Sequence, residues 1–518
     1  MSQKFPWSGY YYRNKKRGKM QGKVGIFFSR SLLMKNDLKL VDLLIRKLEE
    51  RNIEVMAVFA QKKEYGGEGL EEGIKLLKGV DLIINLESSF LIQQPMLEER
   101  KNILEEIGVP IIQTIYSSSR TEKEWRKNPQ GITPTTQIYW VAQPEFNGVI
   151  EPVLISCRDE KSKDTFGRRR PVEERMEFLI DRVCAWLKLY RLPPGERRIT
   201  FLLHNSPCAG VEASVGGAAG LDTMESVVRI MKEMKRRGYK IENCPENGKE
   251  LIDLILKRKA ISEFRWTTVD EIVKKGGVIE FITVEKYNQW LNELPPSVRE
   301  KMLSSWGKPP GEGMVYEGKI VVTGINFGNI NILVEPKRGC YGARCDGRVC
   351  KILHDPRIPP THQCFATYRW AQENSDALIS VGTHGYIEFL PGKSVGLSRE
   401  CFPEIIVGDK PHLYIYTVKN PAEGVLAKRR AYATLVDHMI PVMKPSNLYD
   451  ELGELEELLK EYSRAKLLNE EKRCQVIIEE IYSLSLKANL IDRDKDLTGD
   501  SLVEFLHRKL TLFRETQI

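Results

Sequence analysis

His384 and Glu388 stand four residues apart in Val381-Gly382-Thr383-His384-Gly385-Tyr386-Ile387-Glu388-Phe389-Leu390-Pro391-Gly392-Lys393. An imidazole and a carboxylate so placed can hold a divalent metal ion, or take protons from a reacting ligand. The same stretch runs into Gly392-Lys393-Ser394, which looks like part of a phosphate loop. Counting separates the two readings. A phosphate loop needs four residues between its glycines, so that successive backbone N–H groups close around the phosphates. Gly385 and Gly392 are separated by six, and Pro391 removes a donor. Metal or proton chemistry, or a packing role for the histidine, is what remains for this segment.

Two other patterns carry possible ligands. Cys340, Cys345 and Cys350 repeat at five-residue steps, with His354, His362 and Cys364 close behind. Thiolates at this spacing could hold zinc or an iron–sulfur cluster, although they match neither the usual zinc hooks nor the ferredoxin spacing. Reduced structural thiols are the other reading. The run from Asp492 resembles a calcium loop, but Leu497 stands where the turn glycine belongs and Val503 where the bidentate glutamate belongs. A solvated turn is expected there.

The elements that must position these residues alternate between strand and helix. Lys23 to Ser29 reads as a strand, and Asp37 is placed to cap a helix bearing Leu40, Val41, Leu44, Ile45 and Leu48 on one face. Further strands are expected at 53–60, 80–86 and 109–116, and a charged loop at 158–174. A second α/β unit opens with a strand at 199–203 and continues through the small-residue loop Asn205 to Gly220. That loop leads to a helix capped by Asp222 and stopped at Gly238. Such a loop can cradle an anion or be a bare turn. Residues 319–336 alternate like a hairpin about Asn326-Phe327-Gly328-Asn329. A strand over 376–381 would place His384 at the C-terminal lip of a sheet, where α/β folds hold ligands. The expected class is therefore α/β, with several strand–helix domains built on parallel sheets. The expected divisions are an N-terminal arm at 1–21, α/β domains at 22–160 and 175–336, a metal-insertion region at 337–445 and a charged helical tail at 446–518. The tail is expected to pack against another surface.

Composition narrows the function classes. The chain has 518 residues, 42% hydrophobic and 29% charged, room for about three domains with real cores. A net charge of +8 from 79 basic and 71 acidic interleaved residues is no nucleic-acid footprint. No stretch has the apolar core of a signal peptide or the length of a membrane span, and ten cysteines without an export signal suggest no disulfide framework. A cytoplasmic location is expected.

Several ordered motifs then point to a family. They are His384-Gly-x-x-Glu388-Phe-Leu-Pro-Gly-Lys393, Gly408-Asp409-x-Pro411-His412-Leu413-Tyr414, Glu423-Gly424-x-x-Ala427-Lys428-Arg429-Arg430-Ala431 and Asp437-His438. Upstream stand His354-Asp355-Pro356-x-x-Pro359-Pro360-x-His362-Gln363, Asn326 to Asn329, Gly220-Leu221-Asp222-Thr223 and Ser118-Ser119-Arg120. Over residues 22–445 the chain resembles the large subunit of cobaltochelatase (CobN type) and the related large subunit of magnesium chelatase. The resemblance implies ATP-dependent insertion of cobalt into a corrin precursor in cobalamin biosynthesis. The alternatives are insertion of magnesium into a porphyrin, or a non-catalytic tetrapyrrole-binding or assembly module. It implies that separate AAA+ and integrin-like subunits hydrolyse the ATP, and that His384 and Glu388 form the metal-insertion site. Lys393, Lys428, Arg429 and Arg430 could pair with peripheral carboxylates of the tetrapyrrole, or form a solvated basic face. His412 and His438 lie in matching segments and are further substrate-binding candidates, with His354 and His362 beside them. Family members are longer, so a complementary C-terminal chain is an expected partner. The cysteine cluster is no part of the common pattern.

Overall fold

The computed structural model describes residues 6–14, 20–61, 68–89, 91, 103–161, 168–205, 214–262, 267–338, 355, 357–438, 451–468, 470–488, 490–491 and 498–516. Residues 1–439 form one compact unit and 440–518 another.

The first sheet contains β1 (Ser8–Arg13), β2 (Gly22–Ser29), β3 (Ile53–Ala60), β4 (Leu82–Asn85), β5 (Ile111–Thr121), β6 (Ile150–Arg158) and β7 (Arg169–Pro171), in the order β1-β3-β2-β4-β5-β6-β7. The five central strands are parallel. Both edges are antiparallel and come from segments expected to lie outside the domain: β1 from the N-terminal arm and β7 from the charged loop. Val24, Ile26 and Phe28 of β2 pack under the helices Lys39–Glu50 and Glu173–Arg191. Phe27 packs on the opposite face with Leu70, Ile74 and Leu77. A parallel sheet covered on both faces reads as a continuous apolar run, as β2 does. Asp37 does not cap the helix after it. Its backbone N–H closes the preceding turn on Leu32, and the next helix starts after Leu38 without a side-chain cap. Asp222 does cap its helix, accepting from the Glu225 N–H at 3.1 Å.

The second sheet carries the site. In chain order the strands are β8 (Ile199–Leu203), β9 (Val278–Ile282), β10 (Val315–Tyr316), β11 (Lys319–Thr323), β12 (Ile325–Phe327), β13 (Ile330–Val334), β14 (Ala377–Val381), β15 (His412–Thr417) and β16 (Ala433–His438). Strands β9 to β11 form a small antiparallel sheet of their own. The others run in the order β12-β13-β8-β14-β15-β16, parallel except for the edge strand β12. The division expected at residue 336 runs through this sheet. Strands from both sides of that point hydrogen-bond to β8.

Buried ion pairs tie the helix Glu173–Arg191 to both sheets. Arg175 forks onto Glu404, which also accepts from the Tyr432 hydroxyl. Arg182 pairs with Glu151 at 2.7 Å and donates to the carbonyls of Gly408 and Lys410. Removing one partner of such a pair strands a buried charge, at about 3–5 kcal/mol. The unit 440–518 contains helices at Glu451–Leu467, Glu471–Lys487 and Asp500–Thr516. Its Leu455, Leu459, Ile477, Ile481, Leu502 and Leu506 are buried together, so the tail's leucines have a core within the tail itself. Among the described residues no helix is long and apolar enough to cross a membrane.

Candidate functional site

Parallel strands bring their C-terminal ends to one lip. His204 and Asn205 follow β8, Glu335 follows β13, and Gly382 to Glu388 follow β14. Tyr414 and Tyr416 project from β15, and Glu423 comes from the helix Pro421–Arg430 after it. The turn after β14 is tight. Gly382 has φ +132°, and a Cβ there would lie 2.3 Å from the His204 Cβ and 2.8 Å from the Gly217 carbonyl oxygen. Only glycine fits that approach. The Thr383 N–H donates to Gly217 and the Tyr386 hydroxyl to the Asn205 carbonyl, which fixes the loop over β8.

The site has two tiers. In the outer one, the His384 side chain is 56% exposed and pairs through Nδ1 with Glu423 Oε2. That oxygen also accepts from the Tyr416 hydroxyl at 2.7 Å, and Asn420 donates to the same hydroxyl at 3.1 Å. A carboxylate only accepts, so Nδ1 carries the proton in this contact, which leaves Nε2 as the ring nitrogen turned to a ligand. His384 is thus paired with Glu423 and not with Glu388.

Glu388 lies in the inner tier, 2% exposed. Its carboxylate crowds Gly385 together with the Tyr414 hydroxyl. A Cβ at 385 would meet Tyr414 Oη at 2.6 Å and the two Glu388 oxygens at 2.9 and 3.0 Å. Burial holds the Glu388 carboxyl up at about 8, and the carboxylates of Glu335 and Glu423 push the same way. Burial also raises the Tyr414 phenol well above its usual range. Glu388 Oε1 and Tyr414 Oη are buried without a hydrogen-bond partner among the described residues, as are His204 Nδ1 and Glu335 Oε2.

The other expected site residues turn mostly to structural work. Lys393 is buried, and its Nζ donates to the carbonyls of Arg126 at 2.8 Å and Asn128 at 2.9 Å. Arg430 clamps the loop itself, with its guanidinium on the carbonyls of Glu388, Leu390, Gly392 and Lys393. Arg429 forks onto Glu145, with Lys428 3.9 Å from the same carboxylate. None of the four is a free cation awaiting an anionic ligand. His412 is buried on β15, donating from Nδ1 to Ala431 and accepting at Nε2 from Ser380, and burial pushes its pKa down to about 4. It is a neutral packing histidine. His362 is likewise held between the Tyr287 hydroxyl and the Gly307 carbonyl, with its pKa lowered by burial. His438 ends β16, both ring nitrogens without a partner among the described residues. Cys340, Cys345, Cys350 and His354 lie outside the described residues. Among the described residues no three His, Cys, Asp or Glu side chains are grouped to hold a metal ion.

His204, Glu335 and Tyr416 stand in no motif that marks them as working groups, and Glu423 stands in one without a role of its own. The available signal was position. His204 and Glu335 are each the first residue after an apolar strand, the same lip placement that marks His384.

The model of the family CobN/Magnesium Chelatase matches residues 2–518. An uncharacterized protein of Methanocaldococcus jannaschii is 42% identical over 93% of this chain and 42% of its own length. The aerobic cobaltochelatase subunit CobN of Sinorhizobium sp is 29% identical over 96% of this chain and 38% of its own. Among solved structures, the catalytic subunit of cobaltochelatase from Mycobacterium tuberculosis superposes with a TM-score of 0.74 at 25% identity, over 98% of this chain and 42% of that one. The chain spans about two fifths of the length of these relatives.

Proposed function

The chain belongs to the CobN/magnesium chelatase family, and on that premise we propose that it is part of the large subunit of an ATP-dependent chelatase that inserts cobalt into a corrin precursor. The observation that carries the reading is the two-tiered lip, an oriented imidazole at the mouth above a buried, proton-retaining carboxyl. Insertion of a divalent ion requires the ion to shed water and the macrocycle to lose two pyrrole protons. His384, its Nδ1 proton held by Glu423, presents Nε2 to the ion. As the cation approaches, Glu388 gives up its own proton to water at the mouth; its carboxylate then takes one pyrrole proton, and the other passes to water beside His384. A carboxyl held up near 8 by burial is a stronger base once ionised than one in water, and an approaching cation favours that ionised form.

An imidazole donor suits cobalt better than magnesium, which prefers oxygen ligands and retains its water. Magnesium insertion into a porphyrin is therefore the second reading. ATP hydrolysis is assigned to AAA+ and integrin-like partner subunits, and the rest of the large subunit to further sequence or a complementary chain. The test is insertion by the reconstituted complex, with cobalt plus corrinoid and magnesium plus porphyrin side by side. His384→Ala and Glu388→Gln are expected to abolish insertion while macrocycle binding, followed by absorbance titration, persists. Full insertion by the double variant refutes the assignment. Macrocycle binding with no insertion of either metal by the unmutated complex favours a binding or assembly module.

A further inference from the structure

The pair His204–Glu335 is used by none of the steps above. The register of β8 on β13 creates it. Leu203 is paired with Val334, and the Glu335 N–H donates to the Leu203 carbonyl at 2.9 Å, so His204 and Glu335 are the next residues out on adjacent strands. Both are about nine-tenths buried or more, at 5% and 4% exposure. Their facing atoms, Nδ1 and Oε2, lie 3.4 Å apart, yet neither has a hydrogen-bond partner among the described residues, the other included. The opposite carboxylate oxygen is fixed by the Tyr368 hydroxyl at 3.0 Å. The edge of the His204 ring rests against Tyr386 in the loop that carries His384.

Two facing polar atoms, buried and unsatisfied, call for an occupant. A directly hydrogen-bonded pair would close to about 2.7–3.2 Å. Two ligands of one tetrahedral first-row ion, each about 2.1 Å from the metal, stand about 3.4 Å apart. Imidazole plus carboxylate is the donor set such an ion takes, and a ligating carboxylate hydrogen-bonded through its other oxygen is the usual outer support.

We propose that His204 Nδ1 and Glu335 Oε2 form a second, inner site for a first-row divalent cation, with water completing its coordination. It would be a holding position for the ion on its way to the lip. The role as a holding position rests on the insertion reading; the binding itself does not. The test is anaerobic titration of the full chain with cobalt(II) alone, followed by visible absorbance and by equilibrium dialysis. We expect a nitrogen/oxygen-ligated component that falls at least tenfold in affinity in both His204→Ala and Glu335→Gln and persists in His384→Ala. Glu335→Gln keeps the shape of the side chain, and thermal melts identify any variant that has failed to fold. If folded Glu335→Gln binds cobalt as the unmutated chain does, or if the unmutated chain shows no such component, the proposal is overturned. Loss of insertion in the lip variants with this component intact leaves the two claims separately decided.

Discussion

A single methyl group at residue 385 tests whether the position of Glu388 matters. Gly385 is outside the left-handed region, so Gly385→Ala imposes no backbone strain and acts through space alone. Its Cβ would stand 2.6 Å from Tyr414 Oη and 2.9 and 3.0 Å from the Glu388 oxygens, where ordinary contact needs at least 3.4 Å. Tyr414 cannot retreat, because its ring is buried on a central strand and packed against Tyr416 at 4.9 Å between centroids. The backbone around Glu388 is held by Arg430. The Glu388 carboxylate therefore has to swing away by about half an ångström to an ångström. Overpacking of this kind costs about 1–3 kcal/mol of stability. A displacement near 1 Å at a reacting group can cost about 100-fold in rate. Gly73→Ala is the control. Its Cβ would meet the Ala60 Cβ at 2.6 Å in the first sheet, with no reacting group nearby. Denaturant melts and insertion rates of the reconstituted complex should show comparable destabilisation in both variants and a rate loss of 10- to 100-fold in Gly385→Ala alone. Equal insertion rates in the two variants would refute the claim that the carboxylate's placement limits the reaction.

Glu388→Gln should also change the pH dependence of stability, measured with chelator present. The folded carboxyl near 8 lies above its unfolded value, so the folded state binds the extra proton and the unmutated protein loses stability as pH rises from about 4.5 through 8. The loss is bounded by about 4–5 kcal/mol at 1.36 kcal/mol per unit, and the glutamine variant should lack it; parallel pH curves would contradict the burial argument. Arg430→Lys keeps the charge but not the fork that reaches four carbonyls, and should cost about 2–3 kcal/mol at typical values for charged hydrogen bonds. Amide exchange should speed up over 388–393 in that variant, and unchanged protection there would show that the clamp is dispensable.

The sheet strands were legible because burial on both faces writes itself into sequence. Residues 23–29 and 53–60 match β2 and β3 to within a residue. The edge strands were not, since β1 is Ser-Gly-Tyr-Tyr-Tyr-Arg and β7 Arg-Arg-Pro, polar segments that pair on one side only. The expected division at 336 had no way to register that β14 would insert beside β8. Parallel pairing across more than 170 residues leaves no local mark. The basic run at 428–430 shows a different limit. Charge is visible in sequence, but whether it faces a ligand depends on Glu145 and the loop carbonyls, which only folding brings near.

The pairing of His384 shows what the spacing of the motif leaves open. Four-residue spacing at a strand end suggests an imidazole and a carboxylate that hold one ion together. The segment instead leaves a strand, turns at Gly382 and Gly385, and reaches a short 3₁₀ turn at Ile387–Phe389. Ring and carboxylate are thereby sent to opposite sides of the loop, His384 outward to Glu423 and Glu388 inward beside Tyr414. In the proposed reaction this separation is useful. A carboxylate bound directly to the imidazole would be stabilised as an anion and would hold a proton poorly. Buried away from it, and facing the carboxylates of Glu335 and Glu423, Glu388 retains the high proton affinity that stripping a pyrrole N–H demands. The orienting task falls to Glu423, which is placed by the next strand and helix and so could not be read from the motif's spacing.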